Sequence, residues 1–187
     1  MRAIGLALCL AACALTSRSA PLELHYYAPA VAEVAPRRGT CRARVRIARV
    51  TTGDLLGWRI VHRESAVELA PYDTRRWAEL PDRYVERALA RALFDERRLR
   101  DTTDAGAPGL DVDIVAFEEI HRGAQHGGRV ELDYALRDAE TVRAHGSIAQ
   151  ERMAEGADFA NVVAAIGAAM TAAVAQVADR VATELCR

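Results

Sequence analysis

The sequence predicts an α/β fold of the two-layer α+β type, in which a mostly antiparallel or mixed sheet is packed by two long helices. Three observations point to it. Several short segments alternate apolar and polar side chains, the two-residue period of strands. In two stretches, one opened by Pro81 and one running to the end of the chain, apolar residues recur instead every three or four positions. The chain has 187 residues, of which 51% are hydrophobic, enough for one ordinary domain with a real core.

The N-terminus reads as a processing segment. Arg2 precedes an apolar run, Ala3 to Leu10, which ends at Leu10-Ala11-Ala12-Cys13. A positive start, a short apolar stretch and small residues before a cut site define a secretory signal. A spanning helix needs roughly 20 apolar residues, about twice this run. Leu-Ala-Ala-Cys also resembles the lipobox of bacterial lipoproteins, which implies that residues 1–12 are removed and that Cys13 is acylated. Each buried CH₂ of the acyl chains adds about 0.8 kcal/mol of membrane affinity, so two or three chains anchor where one does not. Residues 13–21 then form a small, polar, lipidated tether, and residues 22–187 a single domain.

Within that domain Leu22 to Tyr27 alternates as a strand. Ala28 to Gly39, with Pro29, Pro36 and Gly39, is a loop. Ala43 to Val50 and Trp58 to Arg63 read as two strands of a hairpin joined at Thr52-Gly53-Asp54. Val67 to Leu69 is a short strand that Pro71 ends. Pro81 suits the first position of a helix, where its missing N–H costs nothing. Tyr84, Val85, Ala88, Leu89, Ala92 and Leu93 follow as one apolar stripe, with Asp82 near its positive end and Arg97 and Arg98 near its negative end. Asp101 to Gly109 is polar loop. Three strands come next, Leu110 to Glu119, Gly128 to Asp138 and Thr141 to Gln150, with Arg122 to Gly127 as a glycine-containing hairpin loop. Their acidic residues Asp111, Asp113, Glu131 and Asp133 take the solvent face. Asp158 is placed to cap a final helix to Cys186, whose stripe includes Phe159, Ile166, Met170, Val177 and Leu185. Although Phe159 to Ala178 carries no charge, its many alanines suit close packing on a sheet better than lipid.

Charge and motifs exclude several classes. The formal net charge is −1, and all 25 basic side chains are arginine, so no strong field favours nucleic acid. No Gly-x-Ser-x-Gly elbow, phosphate-cradling loop or clustered Cys/His spacing is present, so no catalytic residue, cofactor or metal is expected. His121 and His126 read as surface histidines around the hairpin loop. Cys41 and Cys186 would meet an oxidising compartment after export, either as a disulfide or as two separate thiols. Tyr72, Arg76 and Trp77, preceding the first helix, are candidates for partner docking, because Tyr, Trp and Arg carry much of the energy of interfaces. A core role for Trp77 is the other reading.

This order of elements resembles the ABC-type transport auxiliary lipoprotein family, the PqiC-like proteins. The matching residues are the lipobox ending at Cys13, Tyr26-Tyr27, and Arg76-Trp77-Ala78-Glu79-Leu80-Pro81. The resemblance implies a non-catalytic lipoprotein on the periplasmic face of the outer membrane, working with ABC transporter subunits and an MCE-domain protein that moves lipids between the membranes. It also implies a homo-oligomer. Ala14, after Cys13, is not the Asp that retains lipoproteins in the inner membrane. Two other readings stand beside it: a periplasmic carrier holding a lipid between sheet and helices, and a structural envelope lipoprotein. An apolar groove would favour the carrier, and a closed alanine-packed interface the adapter.

Overall fold

The structure is a computed structural model that describes residues 21–30, 41–139, 141–156 and 158–187. The signal segment and Cys13 lie outside the described residues. The strands are β1 (His25–Tyr27), β2 (Arg44–Thr52), β3 (Arg59–Arg63), β4 (Leu69–Trp77), β5 (Arg100–Asp101), β6 (Gly109–Arg122), β7 (Gln125–Arg137) and β8 (Val142–Met153). Helix α1 (Pro81–Ala90) separates β4 from β5, and α2 (Phe159–Leu185) follows β8. All eight strands belong to one mixed sheet.

Strand β6 is its axis. On one side β6, β7 and β8 form an antiparallel meander. On the other side β2 and β3 run end to end, both parallel to β6, β2 along Gly109–Ile114 and β3 along Glu118–Ile120. They are therefore not the hairpin that the alternating segments suggest. The Gly53–Trp58 connection shifts the chain along β6 without reversing it, because β6 is long enough to seat both strands. This placement buries Val45, Ile60 and Val61 in the core.

Strand β4 also departs from the sequence reading. It continues through Pro71 to Trp77, antiparallel to β3, with Pro71 opposite Val61. On its other side β1 covers only Arg75–Trp77. Among the described residues, Pro71 thus lies on a stretch of β4 with no strand on its far side, where a missing N–H is tolerated. The third change is at the tip of the meander. Gly123 has φ of +62°, which lets a two-residue turn join β6 to β7, with Arg122 opposite Gln125. Residues 121, 122 and 125–127 consequently belong to strands.

Helices α1 and α2 cover one sheet face. Helix α2 buries Val162, Ile166, Ala169, Met170, Ala173 and Val177, and one contiguous core joins it to α1 and to the strands. Small residues set its distance from the sheet: a Cβ on Gly128 of β7 would lie 2.3 Å from the backbone nitrogen of Ile166. By length and composition alone α2 would suffice to cross a membrane. Here its apolar stripe is spent on the sheet. Asp158 occupies the N-cap position, its carbonyl accepting from Asn161 N–H at 2.9 Å, but its carboxylate makes no capping bond.

Helix α1 ends in a π-helical turn, Arg91–Glu96. Arg97 then turns inward instead of facing solvent beyond the helix end. Its side chain is 4% exposed, pairs with Glu96 and Asp179, and donates to the carbonyls of Ala92 and Ala175. A disulfide joins Cys41, just before β2, to Cys186, just after α2, with Cα atoms 5.8 Å apart.

The opposite sheet face is a lattice of alternating charge. Asp111 meets Arg49 and Arg137, while Glu118 meets Arg63 and Arg129.

Candidate functional site

A bulge in β6 builds the most unusual site. Leu110, Val112 and Ile114 point to the helix layer, as the alternation predicts, but the register slips between Ile114 and Ala116, leaving Val115 exposed and unmatched. One extra residue inverts the parity beyond it. Phe117 and Glu119 therefore face the helix side, while Ala116 and Glu118 face the charged side. Both Glu118 and Glu119 are 1% exposed.

Glu119 is the centre of a polar cluster drawn from four strands. From β4, Tyr72 donates its hydroxyl to Glu119 Oε2 at 2.6 Å. His121 Nε2 lies 3.2 Å and His126 Nδ1 2.6 Å from the other oxygen, Oε1. His121 follows Glu119 by two positions on the same face of β6, and His126 is its cross-strand partner on β7. From β3, which pairs His62 with Glu119 in register, the His62 ring stacks on Tyr72 at 4.4 Å. His62 Nδ1 is 2.8 Å from Glu64 Oε1 but off the line of a hydrogen bond, so this buried nitrogen has no hydrogen-bond partner among the described residues.

Aromatic rings close the cluster at the start of α2. Phe159 meets Tyr27 and Tyr72 edge to face, at 4.9 and 5.4 Å. The Arg75 guanidinium lies over both Tyr72 and Phe159, 4.2 and 3.7 Å from the ring centres, a cation–π clamp. Burial, and then the bond to Glu119, push the Tyr72 phenol above its ordinary value, so it stays protonated and acts as a donor. The donor atoms of Glu119, His121 and His126 lie within 4.8 Å of one another, a set able to hold a cation.

The three docking candidates separate. Trp77 is 1% exposed and packs edge to face on Phe117 and Tyr84, so it is a core anchor with no surface to offer a partner. Tyr72 belongs to the polar cluster. Arg76 is half-buried and folds back onto the carbonyls of Tyr72, Asp73 and Arg75. The exposed aromatics are instead Tyr26, opposite Arg76 in the β1–β4 register, and Trp58, whose carbonyl accepts Trp77 N–H. Sequence reasoning missed Glu119 and His62, because their proximity depends on a bulge and on parallel pairing. The cross-strand match of His121 and His126 did have a signal: Gly123 fits a tight turn that places them opposite each other.

The fold is shared with several solved structures. The crystal structure of protein XCC0632 from Xanthomonas campestris, of the DUF330 family, matches with a TM-score of 0.77 and 22% identity over 86% of this chain and 96% of that one. An uncharacterized protein matches with a TM-score of 0.68 and 14% identity, covering 85% of this chain and 99% of its own. The hypothetical protein CT253 from Chlamydia trachomatis matches with a TM-score of 0.56 and 7% identity, over 78% and 99%. No curated protein matches the sequence. Residues 24–182 match the family described as ABC-type transport auxiliary lipoprotein component, and the chain belongs to that family. The family is one of membrane-anchored bacterial lipoproteins that assist ABC-type transport.

Proposed function

We propose that the chain is the non-catalytic docking component of an ABC transporter–MCE system that moves lipid between the inner and outer membranes. In this reading acylated Cys13 holds it on the periplasmic face of the outer membrane. The observation that carries the proposal is the closed interface between sheet and α2. Ala165, Ala169, Ala173 and Ala178 are buried there, and the backbone of Ile166 lies against Gly128. An acyl chain needs a continuous apolar cavity, and this contact occupies the space in which a carrier would form one. A depression of about 400 Å³ does exist on the other sheet face, but Arg46, Arg49, Asp111 and Arg137 line it, a polar surface unsuited to acyl chains.

The docking surface in this proposal is the cross-strand row Tyr26, Arg76 and Arg59, which the register places side by side on the outer face of the β1 edge. Tyr26 is 63% exposed, and Trp58, beside Arg59 in the chain, is 54% exposed. Aromatic and Arg side chains of this kind supply interface hot spots. A ring-forming homo-oligomer would repeat the row around the MCE assembly.

Purification of the full lipidated chain from membranes in mild detergent tests the reading. MCE-domain and ABC subunits should co-purify with it, and should be lost in Cys13→Ala and strongly reduced in a Tyr26→Ala/Trp58→Ala variant that folds normally. Recovery of the chain alone with stoichiometric bound lipid would replace the adapter by the carrier.

A further inference from the structure

Among the described residues no guanidinium pairs with Glu119. Glu118 beside it is equally buried, yet it receives Arg63 at 2.6 Å and Arg129 at 3.3 Å. Bonded to Glu119 among the described residues are a phenol and two imidazoles, and the Arg75 guanidinium lies beyond Tyr72, over its ring. A carboxylate withdrawn from water requires a compensating positive charge, since an unpaired buried ion is strongly destabilising. A cation held jointly by the carboxylate and the two rings would satisfy all three groups.

We propose that Glu119, His121 and His126 form a binding site for a zinc-type divalent metal ion. The ligand atoms are Glu119 Oε1, His121 Nε2 and His126 Nδ1, all within 4.8 Å of one another. With metal–ligand bonds of about 2.0–2.1 Å, tetrahedral neighbours stand roughly 3.3 Å apart. His121 Nε2 is already 3.2 Å from Oε1. His126 Nδ1, at 2.6 Å, must withdraw by less than about 1 Å to reach that spacing, and its side chain is 42% exposed near a turn, free to do so. The two rings meet edge to face, 4.5 Å between centres and 64° between planes.

The surroundings suit a ligand shell. Tyr72 occupies Oε2 and leaves Oε1 for the metal, the outer hydrogen bond that orients a ligating carboxylate. Tyr72 is itself fixed between His62 and Arg75. His62, its ring 6.0 Å from that of His121, packs the shell from β3. Two imidazoles and one carboxylate select zinc or a late transition metal over calcium and magnesium, which prefer all-oxygen sites. Three protein ligands leave a further position for water or a partner's side chain. Binding would tie the β6–β7 tip together where the aromatic cluster meets α2.

Cobalt(II) and zinc titrations of the full lipidated chain, tag-free, stripped with chelator and held in mild detergent, test the site. One equivalent of Co²⁺ should give the visible bands of a low-coordinate cobalt centre, and Zn²⁺ should abolish them. His121→Asn and His126→Asn should each weaken binding at least tenfold, and Tyr72→Phe about 10–100-fold, as loss of an outer-shell partner does. His145→Asn, on the exposed face of β8, should change nothing. Should a variant misfold, histidine modification of the unaltered chain gives the same answer, with Zn²⁺ protecting His121 and His126 but not His145 from diethyl pyrocarbonate. Absence of cobalt bands, equal affinity in the His121 and His126 variants, or no selective protection would overturn the proposal and leave an imidazolium on Glu119 as its counter-charge.

Discussion

Adjacent glutamates on β6 show how much depends on a single residue's parity. Glu118 lies among arginines on the charged face and Glu119 among aromatic rings on the helix face, because the bulge at Val115 ends one alternation and starts another. Tyr84 is the other residue whose surroundings give a measurable expectation. Its ring is 3% exposed and its hydroxyl accepts from Glu79 N–H at 3.0 Å. Burial, foremost, raises the pKa of this phenol in the folded state. The protonated form is therefore favoured by folding, so its contribution is complete below the unfolded value of about 10 and is lost as the pH climbs beyond it. Urea unfolding midpoints should fall more steeply above about pH 10 in the wild type than in Tyr84→Phe. Equal slopes would mean that Tyr84 does not titrate differently in the two states.

At the scale of elements, two contacts decide how the layers meet. Gly128 lets α2 approach β7, and a methyl group there would fall 2.3 Å from backbone, which no rotamer change relieves. Gly128→Ala should cost at least the 1–3 kcal/mol typical of overpacking, read from denaturant unfolding. A neutral result would show that the helix can shift without loss. Arg97 closes the turn after α1 onto α2 through Glu96, Asp179 and the Ala175 carbonyl. Its removal leaves Glu96 with a distant cation, Arg91 at 3.6 Å, so Arg97→Ala should destabilise by about 3–5 kcal/mol. Restoring stability by adding Glu96→Leu would identify the uncompensated carboxylate as the cause. The individual elements were largely legible in the sequence: both helix starts, the three meander strands and the solvent-facing Asp113 and Asp133 lie where periodicity predicts. The misreadings share one origin. Pro71 was expected to stop β4, and Gly53 to reverse β2 into β3, because both are local signals; the strands that β6 and β1 set beside them are not local.

Over the whole molecule, the Cys41–Cys186 disulfide ties the start of the core sheet to the end of the last helix, 145 positions apart in sequence. A cross-link closing so long a loop restricts the unfolded chain strongly, and its loss should cost about 2–5 kcal/mol. Unfolding of the Cys41→Ser/Cys186→Ser protein against the oxidised wild type measures this. Identical midpoints, or two free thiols in the exported wild-type protein, would contradict the expectation. The fold class, the helices and the family resemblance followed from the sequence because each rests on signals within a few residues: a two- or four-residue period, a proline at a helix start, a short motif such as Arg76-Trp77-Ala78-Glu79-Leu80-Pro81. Tertiary structure alone decided that β2 and β3 share one edge of β6, that Trp77 is core, and that Glu119, His62, Tyr72, His121 and His126 meet. Those juxtapositions require knowing which strand lies beside which and in what register. Register is set by the fit of the whole helix layer onto the sheet, a sum over distant contacts that no single stretch of the chain contains.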